Sequence, residues 1–162
     1  MLNLAGLRPL WPWITGLASA ALLAGAHAFE RLGGLKPCPL CLDQREWHWG
    51  MLAFAVVSLI AIRIRPALAR WAALGLGLIL LGSFAQAGFH VAVEQHWIIY
   101  QCAADPNLDN LTFDMNAALE VPQCDKVLWS LFGVSMAGYN AIISLGLALA
   151  SFAIALAQER KA

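Results

Sequence analysis

Charge is what this chain has least of. Only 12% of its 162 residues are Asp, Glu, Lys or Arg, the net charge is zero, and no basic run is present. A soluble domain carries about 25% charged residues, so a polar shell around a water-soluble core is excluded. Without a basic patch there is no nucleic-acid partner. Internal repeats are absent too, as are low-complexity tracts beyond an Ala/Leu/Gly bias that suits packed membrane helices. What remains is 60% hydrophobic sequence, and it is arranged in long runs. This is the composition of a membrane protein.

Four apolar segments stand out. Residues 10–29 hold twenty residues without Asp, Glu, Lys or Arg, enough to cross a bilayer core. Residues 47–62 are slightly short, and 71–89 suffice. Residues 127–157 exceed one span, which places the crossing near 136–157 and leaves the first third at the interface. Trp47, Trp49, Trp71 and Trp97 read as an interfacial belt, with His48 and His96 among them. Ala26-His27-Ala28 resembles a signal-peptidase site, and cleavage there would leave three spans. The single Arg8 ahead of it and the Trp11-Pro12-Trp13 anchor favour a retained first span instead.

These runs divide the cations into Arg8, Arg63, Arg65, Arg70, Arg160 and Lys161 on one side and Arg31, Lys36, Arg45 and Lys126 on the other. Three of the first group crowd into the short turn 63–70, where the positive-inside rule weighs most. Both termini are therefore expected in the cytoplasm. The expected architecture is all-α: one domain over 1–162, a four-helix transmembrane bundle with outward loops at 30–46 and 90–135. In the second loop, Leu111, Met115, Ala118 and Leu119 fall at helical spacing, which fits either a short amphipathic helix or a plain loop.

All four cysteines, Cys38, Cys41, Cys102 and Cys124, then lie outside, where disulfides persist. Four permit two disulfides in three connectivities. They fit Cys38–Cys41 and Cys102–Cys124, a tight loop at the bilayer and a long loop that a soluble protein can reach. Two accessible pairs suit relay by thiol–disulfide exchange. A four-thiolate zinc site is the competing use, but the second pair lacks Cys-x-x-Cys spacing and has no suitable His near it. No metal is expected.

The first pair sits in Pro37-Cys38-Pro39-Leu40-Cys41-Leu42-Asp43-Gln44-Arg45, where a loop enters an apolar helix. The prolines disfavour helix before Cys41, so the helix is expected to start near it. A sulfur there feels the positive end of the macrodipole. Arg45 lies one turn on, a cation that burial cannot neutralise, and favours a Cys41 anion.

With this arrangement the chain resembles the DsbB family, bacterial inner-membrane enzymes that reoxidise the periplasmic oxidant DsbA with quinone. The likeness covers the whole chain and includes Leu131-Phe132-Gly133-Val134-Ser135-Met136, which is similar to the family's Leu-Gly-Leu-x-Met stretch. It implies that Cys41 is the quinone-reactive sulfur, Cys38 its partner, and Arg45 the stabiliser of its anion. Cys102 would form the mixed disulfide with a DsbA-like thioredoxin-fold oxidase, and Cys124 would be its internal partner. Met136 and His90 would lie near quinone, ubiquinone or menaquinone. Where the family commonly has Gln, this chain offers Glu94 followed by Gln95, and either could take that place. The alternatives are a thiol:quinone enzyme of the vitamin K epoxide reductase type, which carries its Cys-x-x-Cys near a later span, and a non-catalytic tetraspan protein stapled by two disulfides.

Overall fold

The computed structural model describes residues 4–100, 102 and 123–158. Four long helices make up most of it: α1 (Trp11–Arg31), α2 (Pro39–Ile64), α3 (Ala69–Glu94) and α4 (Met136–Leu156), with short 3-10 turns at Leu4–Leu7 and Pro66–Leu68. The helices outlast the uncharged runs that mark them in sequence. Helix α2 begins eight residues before Trp47, and α3 continues past His90 to Glu94. At these ends Gln44, Arg45 and His48 of α2 and His90 and Glu94 of α3 find hydrogen-bonding partners on neighbouring elements, while Asp43 and Glu46 stay exposed. The amphipathic stretch considered at 111–119 lies outside the described residues.

Each helix start has a local cause. Pro39 occupies the first turn of α2, where its missing N–H costs nothing, and Cys38 is the N-cap whose sulfur accepts from the Cys41 N–H. The helix therefore starts at Pro39 rather than at Cys41. Helix α4 begins at Met136 because Ser135 Oγ accepts from the Gly138 N–H. Just before it, Ser130–Leu131 and Val134–Ser135 form a two-stranded hairpin, β1 and β2. Its two turn residues, Phe132 and Gly133, have φ of 50° and 78°, the left-handed pair that a tight two-residue hairpin requires.

Packing follows small residues. On α3, a Cβ at Gly75 would meet the Phe54 ring and one at Gly82 the Trp47 ring, both at 2.5 Å. The seven-residue interval is shared by both helices, so two aromatic side chains of α2 seat on two bare patches of α3. Trp47 is thus packed on a helix as well as partly exposed. Helix α3 packs most extensively on α4. Met51, Ala55, Ala73, Leu76, Leu80 and Ala148 fill the centre with Trp11, whose indole N–H donates to Ser151 Oγ at 2.7 Å. At the far end Arg8 donates to the carbonyls of Ile154, Ala155 and Ala157, satisfying groups that the α4 terminus leaves open.

Among the described residues, three helical segments are long and apolar enough to cross a membrane: Pro39–Ile64, Pro66–Glu94 and Met136–Leu156. Helix α1 matches α4 in length at 21 residues, but Thr15, Ser19, two glycines and His27 dilute its apolar character.

Candidate functional site: a cysteine cluster on a cavity between the helices

The α2 N-terminus, the end of α3 and the segment before α4 converge on the sulfurs. Cys38 and Cys124 are each 2% exposed and share one apolar cluster with Leu40 and Val93, against which Cys41, Cys102 and Phe89 pack. Cys102 and Cys124 are joined by a disulfide with a Cα–Cα distance of 5.9 Å. Cys38 and Cys41 are two free thiols here, not the bonded pair expected from their spacing. Their distance from one another is short enough for exchange, since both sulfurs and a His90 ring nitrogen lie within 4.8 Å. The sequence suggested one pair at the bilayer and one on a long loop; in the fold the second pair leans directly on the first.

Cys38 and Cys41 form part of the wall of a largely apolar cavity of about 360 Å³. Helix α1 contributes Leu22, Ala26 and Phe29, α4 contributes Met136, Asn140 and Ile143, and Trp129 and Leu131 come from the segment before α4. Arg45, Gln44, His48, His90 and Glu94 supply its polar points. Met136, His90 and Glu94 therefore border one space. Gln95 does not: it is exposed, one residue beyond α3, and its backbone caps the helix end. Of the two adjacent candidates, only Glu94 faces the cavity.

Arg45 lines the cavity and is tied down on its other side. Its guanidinium donates to the Glu30 carboxylate at 2.5 Å and to the Ala26 carbonyl at 3.4 Å. That hydrogen bond holds the Glu30 carboxyl below its ordinary value against the opposing effect of desolvation, and the positive charge behind it adds to the lowering. At Cys38 the shift runs upward: its sulfur's hydrogen bond with Cys41 and its burial both keep the proton on.

The rest of the polar lining forms one buried chain. His90 Nε2 lies 3.7 Å from Cys38 Sγ and 3.9 Å from Glu94 Oε1. Its Nδ1 accepts from the Gln44 amide at 2.6 Å, and Gln44 Oε1 accepts from the Asn140 amide at 2.8 Å. Asn140 Oδ1 is met by His48 Nε2 at 2.9 Å and by the Ser144 hydroxyl at 3.0 Å. Ser19 Oγ closes the far end on His48 Nδ1 at 3.2 Å. Glu94 Oε2 accepts from Ser135 Oγ, tying the end of α3 to the cap of α4. Among the described residues, no buried side-chain N or O lacks a partner.

His48 thus sits in the bundle, 4% exposed, and not in the interfacial belt where its neighbours Trp47 and Trp49 suggested it. Gln44, Asn140 and Glu30 were missed altogether. A signal for two of them exists: Cys41, Gln44 and His48 recur at helical spacing on α2, as Asn140, Ser144 and Ser151 do on α4. Polar residues repeated on one face of an apolar helix point into a bundle, and by default into a site.

The chain is 34% identical over 146 residues to the disulfide bond formation protein B of Methylococcus capsulatus, covering 81% of this chain and 84% of the relative. It is 34% identical over 147 residues to that of Marinobacter nauticus (80% and 83% covered) and 28% over 158 residues to that of Methylobacillus flagellatus (90% of each). No solved structure matches the chain. The family model of disulfide bond formation protein DsbB matches residues 8–154, a stretch that takes in every cysteine, the whole of α1 to α3 and all but the last two residues of α4. This chain is a membrane protein and belongs to the DsbB family of disulfide bond formation proteins.

Proposed function

We propose that this disulfide-forming oxidoreductase reoxidises a DsbA-type thioredoxin-fold oxidase and passes the electron pair through its two cysteine pairs to membrane quinone, ubiquinone or menaquinone. The observation that carries this is the contact between the pairs: the bonded Cys124 and the free Cys38 share one buried cluster, and Cys38 and Cys41 line an apolar cavity.

The exchange runs as follows. Cys102 is the more exposed sulfur of its pair, so a thiolate of the soluble partner attacks there and expels Cys124. Cys124 then attacks Cys38 of an oxidised Cys38–Cys41 pair, and the electron pair lands on Cys41 at the α2 N-terminus. The partner's second thiol releases Cys102. Cys102 attacks Cys124, the Cys102–Cys124 bond re-forms, and Cys38 departs as a thiolate beside His90. Each step exchanges one S–S bond for another. Quinone, when bound, supplies the two-electron acceptor that lets Cys38 and Cys41 return to a disulfide, the two thiol protons leaving with the electrons.

The residues present fit such a ring. The cavity walls are apolar, Met136 and Phe29 offer flat or pliable contact, and Arg45, His90 and Glu94 supply the polar points. An external oxidant is also needed on energetic grounds. From about −120 mV for a DsbA-type oxidase to below roughly −300 mV for an ordinary structural disulfide, moving two electrons the wrong way costs on the order of 8 kcal/mol.

All four helices cross the inner membrane, α1 included, with spans near 10–29, 47–62, 71–89 and 136–157. Both termini and the 63–70 turn are cytoplasmic, and loops 30–46 and 90–135 carry the cysteines on the periplasmic side. The convergence of all four sulfurs at one end of the bundle supports a common side for them.

The test uses the four single Cys→Ser variants, mixed anaerobically with reduced thioredoxin-fold oxidase and a soluble quinone. Cys102→Ser and Cys124→Ser should block partner oxidation while dithiothreitol still reduces quinone through Cys38 and Cys41. Cys38→Ser and Cys41→Ser should block quinone reduction from either donor. Quinone reduction surviving in Cys41→Ser would overturn the assignment.

A further inference from the structure

The buried chain that ends on Cys38 has a direction, and the direction is legible from its partners. Ser144 and His48 both meet the same oxygen of Asn140, which two lone pairs accommodate. The Asn140 amide then donates to Gln44, and the Gln44 amide donates to His90 Nδ1. On the other side of the ring, Nε2 faces Cys38 Sγ at 3.7 Å and Glu94 Oε1 at 3.9 Å, and the ring also hydrogen-bonds to the Cys124 backbone, which brings it against both cysteine pairs. Glu94 Oε2 is already occupied by the Ser135 hydroxyl, which leaves Oε1 turned toward the ring. Every donor in the chain points toward the sulfur.

We infer that Gln44 and Asn140 are positioning residues that fix the His90 proton on Nε2, so that His90 donates a hydrogen bond to the Cys38 sulfur when the electron pair lands there. The inference rests on the proposed role of Cys38 in the relay. A buried thiolate without a donor is costly, and a charge-assisted hydrogen bond offsets part of that cost. Left unconstrained, a neutral imidazole could as easily place a lone pair on Nε2, which would repel the anion. The two amides remove that choice. Neither bears a charge, and their hydrogen bonds lead to the ring rather than to a sulfur, so they act through the ring. Among the described residues, the titratable groups facing His90 are Cys38 at the N-cap of α2, Cys41 on α2 and Glu94 on its own helix, while the segment before α4 presents the Cys124 backbone and α4 presents Asn140 by way of Gln44.

The chain has only four histidines, so uniform labelling with [15N]histidine resolves the matter in the full-length protein in detergent. His90→Gln identifies the His90 signals. In the wild type at neutral pH, Nδ1 should show the shift of an unprotonated nitrogen and Nε2 that of a protonated one. Asn140→Leu, two hydrogen bonds away from the sulfur, should convert His90 to a mixture of tautomers. The same variant should slow electron transfer from Cys102–Cys124 to Cys38–Cys41 by about tenfold in acid-quenched single turnovers, with KM for the partner unchanged. Gln44→Met should do the same. An Nδ1–H tautomer in the wild type would overturn the inference without any variant. So would an unchanged wild-type tautomer in both variants. The nitrogen shifts need neither partner nor quinone, so failure of the relay itself would appear separately, as wild-type protein with the stated tautomer that transfers no electrons.

Discussion

Arg45 and Glu30 form an ion pair that joins α2 to α1 at the edge of the cavity, with the guanidinium 2.5 Å from the carboxylate. One side of Arg45 is thereby anchored to Glu30 and the Ala26 carbonyl, and its charge is kept on the wall that Cys41 shares. A planar fork can hold such an anchor and still present donors to the cavity, whereas a single ammonium cannot. Arg45→Lys should raise the apparent KM for quinone by about tenfold, the worth of one charge-assisted hydrogen bond. Exchange between Cys102–Cys124 and the soluble partner should stay within about twofold, because the hydrogen bonds of Arg45 among the described residues go to Glu30 and Ala26 on α1 and not to that pair. Steady-state kinetics with each substrate varied separately measures both. Equal slowing of both steps would make Arg45 a structural residue.

The same ion pair predicts a pH dependence. Glu30 has a carboxyl held below its ordinary 4.5, so its stabilising effect is present above that value. It is lost as pH falls through the lowered folded value. Thermal unfolding of wild type and Glu30→Gln should differ by a constant margin from about pH 5 upward, and the two should converge in stronger acid. Because Glu30 is on the surface, the margin should shrink with added salt. A margin that grew toward low pH would contradict the pairing.

Much of this was legible beforehand, and what was not has a physical reason. The Cys-x-x-Cys motif, the Pro beside it and Arg45 one turn later are local, so spacing alone located Cys38, Cys41 and Arg45 at a helix mouth. Glu30 and Asn140 lie on other helices, and nothing in α2's own periodicity says which residue of α1 or α4 will face it. His48 was misjudged for a related reason. Flanked by Trp47 and Trp49 it reads as interface, yet a helix turns about 100° per residue, and Trp47 packs on Gly82 while His48 faces Ser19 and Asn140. The contact between the two cysteine pairs was invisible because it depends on how the segment from 123 to 135 folds back over the end of α3.

The packing of α2 on α3 makes a prediction about stability. A Cβ at Gly82 would lie 2.5 Å from the Trp47 ring, and a rigid indole cannot give way by rotating a flexible tip. Gly82→Val should destabilise the protein by about 1–3 kcal/mol, the usual cost of forcing extra carbon into a packed contact. Trp47→Ala in the same background should recover part of the loss, read as the midpoint of thermal unfolding in detergent. A Gly82→Val protein as stable as wild type would mean that the two helices are not in this register.

Topology is open to direct labelling. In intact cells, a membrane-impermeant maleimide should label Cys102 after mild reduction, whereas a cysteine introduced at Arg65 should react only after lysis. Placing the introduced cysteine in a protein whose four native cysteines are alanine keeps the two signals separate. The opposite pattern would reverse the membrane orientation, and with it the oxidising surroundings on which the disulfides depend.

The central claim is that electrons taken at Cys102–Cys124 reach quinone by way of Cys38–Cys41, and stoichiometry tests it most directly. Purified protein, reduced thioredoxin-fold oxidase and quinone are mixed without oxygen, and quinol formed is counted against partner disulfide formed. One quinol should appear per partner disulfide in the wild type. With Cys38→Ala, at most one partner disulfide per protein molecule should form and no quinol at all. Continued quinol production in Cys38→Ala would mean that electrons bypass the buried pair, and the relay described above would be wrong.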